Sequence, residues 1–326
     1  MNHVRDFDYD RGVPYTMRRN PAPSKQRGLR FCARKGGPGQ TLVLFALLLV
    51  GLLAVTGLVL DGGNLYLQRR AMQNAADAAA LAGARVLALN GTAEQARSAA
   101  LEYAVQRNLA NSCVITVTSS SVTVTAYKTM PITFARVIGL AELTISAQAT
   151  AGFSPVGATA GLAPVAVRNF DYQYGTSYTI WDDSIDADPV TGNISGSFRG
   201  WLNLNCVYPD NCASAGTSEV VPWMRDGYPG VRAINTWIRG DGGTRTPAIA
   251  EARVGQILKV AIYDQVSDLY NNTTYYHVCK FAAFEITSVK ATGNPKAIQG
   301  KFRTYVTPGS AAGTEDGGLR IISLTR

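Results

Sequence analysis

Thr41 to Leu60 reads TLVLFALLLVGLLAVTGLVL, twenty residues without a charge. At 1.5 Å per residue, a helix of that length covers about 30 Å, the thickness of a bilayer's hydrocarbon core. A run this long is expected to span a membrane rather than to sit in a soluble core. A cleaved signal peptide is the nearest competitor, but its apolar region runs to only ~7–15 residues and ends at a small-x-small cleavage site. Here the run is longer, and Asp61-Gly62-Gly63 leads into more helix-forming sequence. The reading is an uncleaved signal anchor.

Charge sets the expected orientation. The chain of 326 residues has a formal net charge of +8. Residues 1–40 hold nine Lys and Arg (Arg5, Arg11, Arg18, Arg19, Lys25, Arg27, Arg30, Arg34, Lys35) against Asp6, Asp8 and Asp10, which is six of those eight charges. The rest of the chain is close to neutral, so the basic balance is no sign of a nucleic-acid-binding domain. Basic residues next to a span stay on the cytoplasmic side, where they can also touch anionic lipid. Residues 1–40 are therefore expected inside the cell and residues 61–326 outside. The tail has few aliphatic residues and is expected to be disordered.

Beyond the span, Asn64 to Leu89 (NLYLQRRAMQNAADAAALAGARVLAL) is Ala-rich and predicts a helix continuing the anchor, with Gly62-Gly63 as a candidate bend. Ala71, Ala75, Ala79 and Gly83 recur every fourth residue. Such a stripe of small side chains lets a sheet or helix approach closely. Packing on the chain's own domain is the ordinary use of such a stripe, and a subunit contact is the other. Asn90-Gly91 ends this helix, and Thr92 with Gln95 forms a capping box for a second one through Asn108. Its expected buried face is Ala96, Ala100, Tyr103, Ala104 and Leu109. Alternation at 114–118 and 122–126 predicts a β-hairpin. A short helix near 134–138 and a strand at 143–151 follow.

Residues 152–164 (GFSPVGATAGLAP) are rich in Gly, Pro and Ala and are expected to form a linker. From Val165 onward, short β-type runs at 177–181, 198–204, 256–263, 275–287 and 296–307 alternate with turn clusters, and no long helical pattern occurs. The expected fold class is α+β: a disordered tail (1–40), a transmembrane helix (41–60), a helical stalk with a small α+β unit (61–151), a linker (152–164), and a β-rich, sandwich-like domain (165–326).

The string from Gly39 to Ala84 closely resembles the N-terminal region of TadG-like proteins of the Flp (tight-adherence) pilus-assembly system. The features that carry the resemblance are Gly39-Gln40 before the apolar run, Asp61 after it, Tyr66, Arg69-Arg70, and QNAADAAALAGA. The resemblance implies a single-span envelope protein working with pilus-assembly machinery. In one respect the chain departs from the prepilins of that system. If Gly39 is aligned with their cleavage glycine, Leu44 stands where they carry Glu, so ordinary prepilin processing is not expected. Asp182-Asp183-Ser184-Ile185-Asp186 is the nearest string to the metal motif of von Willebrand A domains found in some relatives. It ends in Asp and follows no long apolar strand, so that domain is not assigned.

Residues suited to catalysis are sparse. His3 lies in the tail and His277 in the strand-like YYHVCKF. No GxSxG, HExxH, CxxC or phosphate-cradling Gly-rich loop is present. His277 reads as an ordinary strand histidine, and the chain as a non-enzyme without cofactor or small-molecule substrate. Asp182, Asp183, Asp186 and Asp188 have the spacing of oxygen ligands for calcium, but not that of an EF-hand, and Asx-rich turns produce the same cluster. Cys32 falls inside, while Cys113, Cys206, Cys212 and Cys279 fall outside, where disulfides persist. Cys206 and Cys212 flank the turn sequence Tyr208-Pro209-Asp210-Asn211 and are expected to pair. Cys113 and Cys279 pair with each other if both are oxidised; buried free thiols are the alternative.

The leading reading is a membrane-anchored structural or assembly component of a Flp pilus or related secretion apparatus, with the bilayer and other pilus-assembly proteins as its partners. An anchored adhesin using Trp181, Trp201, Trp223 and Trp237 is the first alternative, and an anchored hydrolase the second.

Overall fold

A computed structural model describes residues 38–182, 200–210, 212–241, 247–270, 273–293 and 296–325. The chain divides into two compact units, Met1–Leu53 and Ala54–Arg326. Among the described residues, the first unit contributes the beginning of helix α1 (Pro38–Ala88). Its large apolar side chains from Leu42 to Leu60 are 48–70% exposed. That is far more contiguous apolar surface than a soluble monomer tolerates. The helix is long and apolar enough to cross a membrane. The expected bend at Gly62-Gly63 does not break it: the helix is continuous through the pair.

Among the described residues, every other element belongs to the second unit. It opens on helix α2 (Ala93–Leu101), which runs into a π-helical turn at Glu102–Arg107. Strands β1 (Ser112–Val117), β2 (Ser121–Pro131), β3 (Glu142–Thr159), β4 (Leu162–Arg168), β5 (Ser177–Asp182) and β6 (Leu202–Val207) precede helix α3 (Thr217–Asp226). After it come β7 (Arg232–Ala233), β8 (Thr236–Gly240), β9 (Ile257–Tyr270), β10 (Thr273–Lys290), β11 (Ala297–Arg303), β12 (Tyr305–Val306), β13 (Ser310–Ala312) and β14 (Leu319–Thr325). Among the described residues the strands form two seven-stranded sheets. The first runs β1-β2-β3-β14-β12, with β7 and β13 also on β3. The second runs β4-β9-β10-β11-β5, with β8 on β10 and β6 on β8. The architecture is α+β, with the strands concentrated after the long helix.

The first sheet rests on α1. Val122, Val124 and Ala126 of β2 and Ala149 and Ala151 of β3 point to one face, as a period of two requires. They meet Met72, Ala75, Ala76, Ala79, Ala80 and Ala84 of α1 and Ala96 and Ala100 of α2 in one core. The other face of the ladder is polar, with Thr123 bonded to Thr150 and Thr129 to Thr144 across β2 and β3. Thr92 caps α2 as its sequence requires: its hydroxyl accepts from the Gln95 N–H at 3.2 Å, and Gln95 Oε1 accepts from the Thr92 N–H at 2.9 Å. Leu109, expected on the buried face, is exposed because the helix has already ended and the residue takes a left-handed φ of 57°.

The second sheet is built on the antiparallel pair β9–β10, whose interior is filled by Val260, Ile262, Tyr276, Val278, Phe281, Phe284 and Phe302. Helix α3 buries Val220, Trp223 and Met224 against it. The sequence pattern does not reveal α3, since Gly216 offers no side-chain cap and Pro222 interrupts the run. Glu219 supplies the half of a capping box that glycine permits, accepting from the Gly216 N–H at 2.9 Å.

The expected linker at 152–164 is strand. Residues 152–159 complete β3, and Leu162 opens β4. The small residues serve close packing: a Cβ on Gly152 would lie 3.2 Å from the Ser120 carbonyl. Val156, Leu162, Ala163, Val165 and Ala166 are core residues. The segments 61–151, 152–164 and 165–326 all lie within one compact unit.

Cys206 and Cys212 form a disulfide with a Cα–Cα distance of 5.7 Å, closing the turn after β6. Cys113 and Cys279 do not pair. Cys113 lies on β1, an edge of the first sheet, whereas Cys279 is buried on β10, inside the second, with its thiol directed at the Ile262 carbonyl. Burial pushes the Cys279 thiol up to about 11, helped by Asp264 and Glu315, and also raises the Cys113 thiol. Non-reducing peptide mapping should recover one Cys206–Cys212 peptide and free Cys113 and Cys279, both slow to react with maleimide at neutral pH; a Cys113–Cys279 peptide would contradict the fold. Replacing Cys206 and Cys212 by alanine should cost about 2 kcal/mol, the low end for a short loop.

Candidate functional site

A well-bonded polar feature lies where the apolar run ends. Asp61 is buried on α1, one residue past Leu60. Its Oδ2 accepts from the backbone N–H groups of Phe134 at 2.9 Å and Ala135 at 2.8 Å, and its Oδ1 from that of Thr133 at 3.2 Å. These donors begin a single 3-10 turn, Ala135–Ile138, carried by the loop between β2 and β3. A carboxylate beside twenty apolar residues is costly unless it is fully bonded; three hydrogen bonds to a charged acceptor meet that need. One helical turn earlier, Gly57 lies against Phe134, and a Cβ there would come within 2.7 Å of the Phe134 Cβ. Glycine at 57 and aspartate at 61 together seat the loop on the helix. The sequence contained a signal for this, an acid directly after an uncharged span, but nothing local to Asp61 identified its partners 72 to 74 positions away.

The far end of α1 is held by the C-terminal strand. Arg320 of β14 is buried, and its Nη1 donates to the Ala88 carbonyl and to Asn90 Oδ1, both at 2.8 Å. Asp316 balances the charge, accepting from Nε at 3.0 Å. The guanidinium stacks over Phe153 at 4.7 Å. Arg320 therefore caps carbonyl and side-chain acceptors at the helix C-terminus, where a cation is favoured. Sequence reasoning did not identify it.

Between these two ends runs the small-residue stripe. Ala75, Ala79 and Gly83 are buried, and Ala71 is partly buried against the same core. A Cβ on Gly83 would meet both Val122 methyls at 3.0 and 3.1 Å and the Ala96 carbonyl at 3.1 Å. The stripe is filled by the chain's own sheet. Tyr66, Leu67, Arg69 and Arg70 are exposed on the same helix. Arg69 and Gln73 line a shallow polar cleft with Thr125, Tyr127, Ser146 and Gln148.

The sequence candidates for other chemistry are dispersed. His277 Nδ1 lies 2.6 Å from Asp264 Oδ1 on the neighbouring strand, with Trp237 packed on the imidazole at 5.1 Å. Trp201 and Trp223 are core residues, not a binding surface. The side chains of Trp181 and Asp182, together with Asp183, Asp186 and Asp188, lie outside the described residues, as does the basic tail with Cys32.

A long helix, apolar at first and then lined with small residues that seat a strand-rich α+β unit, defines a protein built around an N-terminal helical anchor. Residues 39–86 match the model of the putative Flp pilus-assembly TadE/G-like family. The match begins at the glycine before the apolar run and includes Gly57, Asp61, Arg69-Arg70 and the whole small-residue stripe. Neither a curated protein nor a solved structure matches the chain.

Proposed function

We propose that the chain is a single-pass structural or assembly component of a Flp pilus or related secretion apparatus, non-catalytic, with residues 1–40 in the cytoplasm and residues 61–326 outside. The observation that carries this reading is the coincidence of the family match with the helix α1: the same 39–86 stretch provides an exposed apolar segment and the platform on which the first sheet is packed. The Cys206–Cys212 disulfide supports the outward placement, since such bonds persist outside the cytoplasm. Exposed Tyr66, Leu67, Arg69 and Arg70 lie on the matched helix without a role in the core, and form the surface offered to other assembly proteins.

Three measurements test the proposal. Membrane-impermeant thiol labelling of intact cells should reach cysteines engineered after residue 64 and miss those before residue 36; the reverse pattern excludes the orientation. Protein solubilised from native membranes should co-purify with pilus-assembly components and lose them when Tyr66, Arg69 and Arg70 are replaced together by alanine. Retention of the N-terminal segment is also expected, because Leu44 replaces the prepilin glutamate, and a mature N-terminus at Gln40 would contradict it.

A further inference from the structure

The loop between β2 and β3 carries a concentration of apolar side chains that remain exposed on the folded chain. Val137 is 89% exposed, Leu140 53% and Phe134 46%, and Leu143 at the start of β3 is 42% exposed. Arg136 is exposed among them. Apolar side chains gathered in one loop with a flanking cation form the pattern of an element that lies in a membrane interface.

Its position on α1 names the occupant. The loop is held by Asp61, the first residue after the apolar run, and Phe134 touches Gly57, which is inside that run. Along a helix, Gly57 lies about 6 Å deeper than Asp61. If Thr41–Leu60 spans the hydrocarbon, Phe134 is at the depth of the outer leaflet's boundary, and the loop borders lipid by continuity with the span.

The loop backbone fits that environment. Polar main-chain groups in lipid must be bonded internally. The Thr133, Phe134 and Ala135 N–H groups donate to Asp61. Ile132 N–H donates to Ala141 O, Val137 to Phe134 O, Gly139 to Arg136 O and Leu140 to Ala135 O. The donors that a loop would normally present to water are thus largely occupied. The Arg136 side chain is long enough to reach phosphate headgroups from the interface.

We propose that the 132–141 loop is a second membrane contact, inserting Val137 and Leu140 among the headgroups and upper acyl chains of the outer leaflet and fixing how the unit stands on the bilayer. The inference rests on the membrane-anchor reading above. Its test uses the full chain in proteoliposomes of phosphatidylcholine with phosphatidylglycerol, with Cys32 and Cys113 replaced by serine. An environment-sensitive fluorophore is attached at Val137→Cys, at Leu49→Cys or at Glu94→Cys. The probe at 137 should show a blue-shifted emission and be quenched most by lipids brominated near the headgroup end of the acyl chain. The probe at 49 should be quenched most by lipids brominated near the methyl end, and the probe at 94 should be unquenched. Gly57→Val, which drives a side chain into Phe134, should reduce the quenching at 137 and leave that at 49 unchanged. An unquenched probe at 137 with a quenched probe at 49 overturns the loop insertion and leaves the anchor standing. A blue-shifted but unquenched probe at 137 places protein rather than lipid against the loop and also overturns it. Loss of quenching at 49 removes the anchor reading itself.

Discussion

Replacing Arg320 with methionine should destabilise the strand-rich unit by about 3 kcal/mol, the scale of breaking one side of a buried ion pair. Methionine retains much of the apolar stem and can still pack on Phe153, so the loss isolates the guanidinium. Without it, the Ala88 carbonyl and the Asn90 side chain lose the donor that closes the end of α1, and Asp316 loses its cation. An acceptor left buried without its partner costs more than the hydrogen bond is worth in net terms. For a unit of this size the drop corresponds to a fall in Tm of roughly 6–12 °C. Arg320→Lys should recover part of it, because an ammonium keeps the charge but cannot reach the three acceptors in the fork geometry. Thermal unfolding of the full chain in detergent decides the matter. A methionine variant melting with the wild type would show that the C-terminal strand does not secure the helix.

The second large effect is expected at Ala79. Ala79→Leu adds three heavy atoms to a fully buried position between α1 and the first sheet. Overpacking of a close interface costs about 1–3 kcal/mol, and the upper part of that range applies here. The neighbouring Gly83 position, where even a methyl group would meet Val122 and Ala96 at 3.0–3.1 Å, shows how little room the interface has. Gly83→Ala is the informative companion. It gains about 1 kcal/mol of helix propensity and loses a similar amount to those contacts, so its net effect should be small. Faster proteolysis between α1 and β2 in Ala79→Leu, with Gly83→Ala behaving as wild type, is the expected result. Tolerance of leucine at 79 would mean that the stripe is not seated against the sheet.

These two sites differ in how visible they were. The Ala71, Ala75, Ala79 and Gly83 spacing announces a close-packed helix face, because helical period and side-chain volume are local properties. Its partner was not announced, since Val122 and Ala149 enter the same core only once β2 and β3 are paired. Arg320 carries no local mark at all: in sequence it is one charged residue between Leu319 and Ile321.

By itself, the sequence determined the features whose physics is contained in neighbouring residues. An uncharged run of twenty residues requires an apolar environment, small residues every fourth position require a close neighbour, alternating Val and Thr predict a two-faced hairpin, and Thr92 with Gln95 starts a helix. Tertiary structure alone decided which elements meet. It placed β14 beside β3 and β4 parallel to β9, converted the Gly- and Pro-rich 152–164 segment into strand, and separated Cys113 from Cys279. It also gave Asp61 its three donors and Arg320 its acceptors. The reason is the same in each case. Buried polar groups and sheet edges must be satisfied by whatever the folded chain brings within reach, and that partner can lie 230 residues away, as Asn90 does from Arg320.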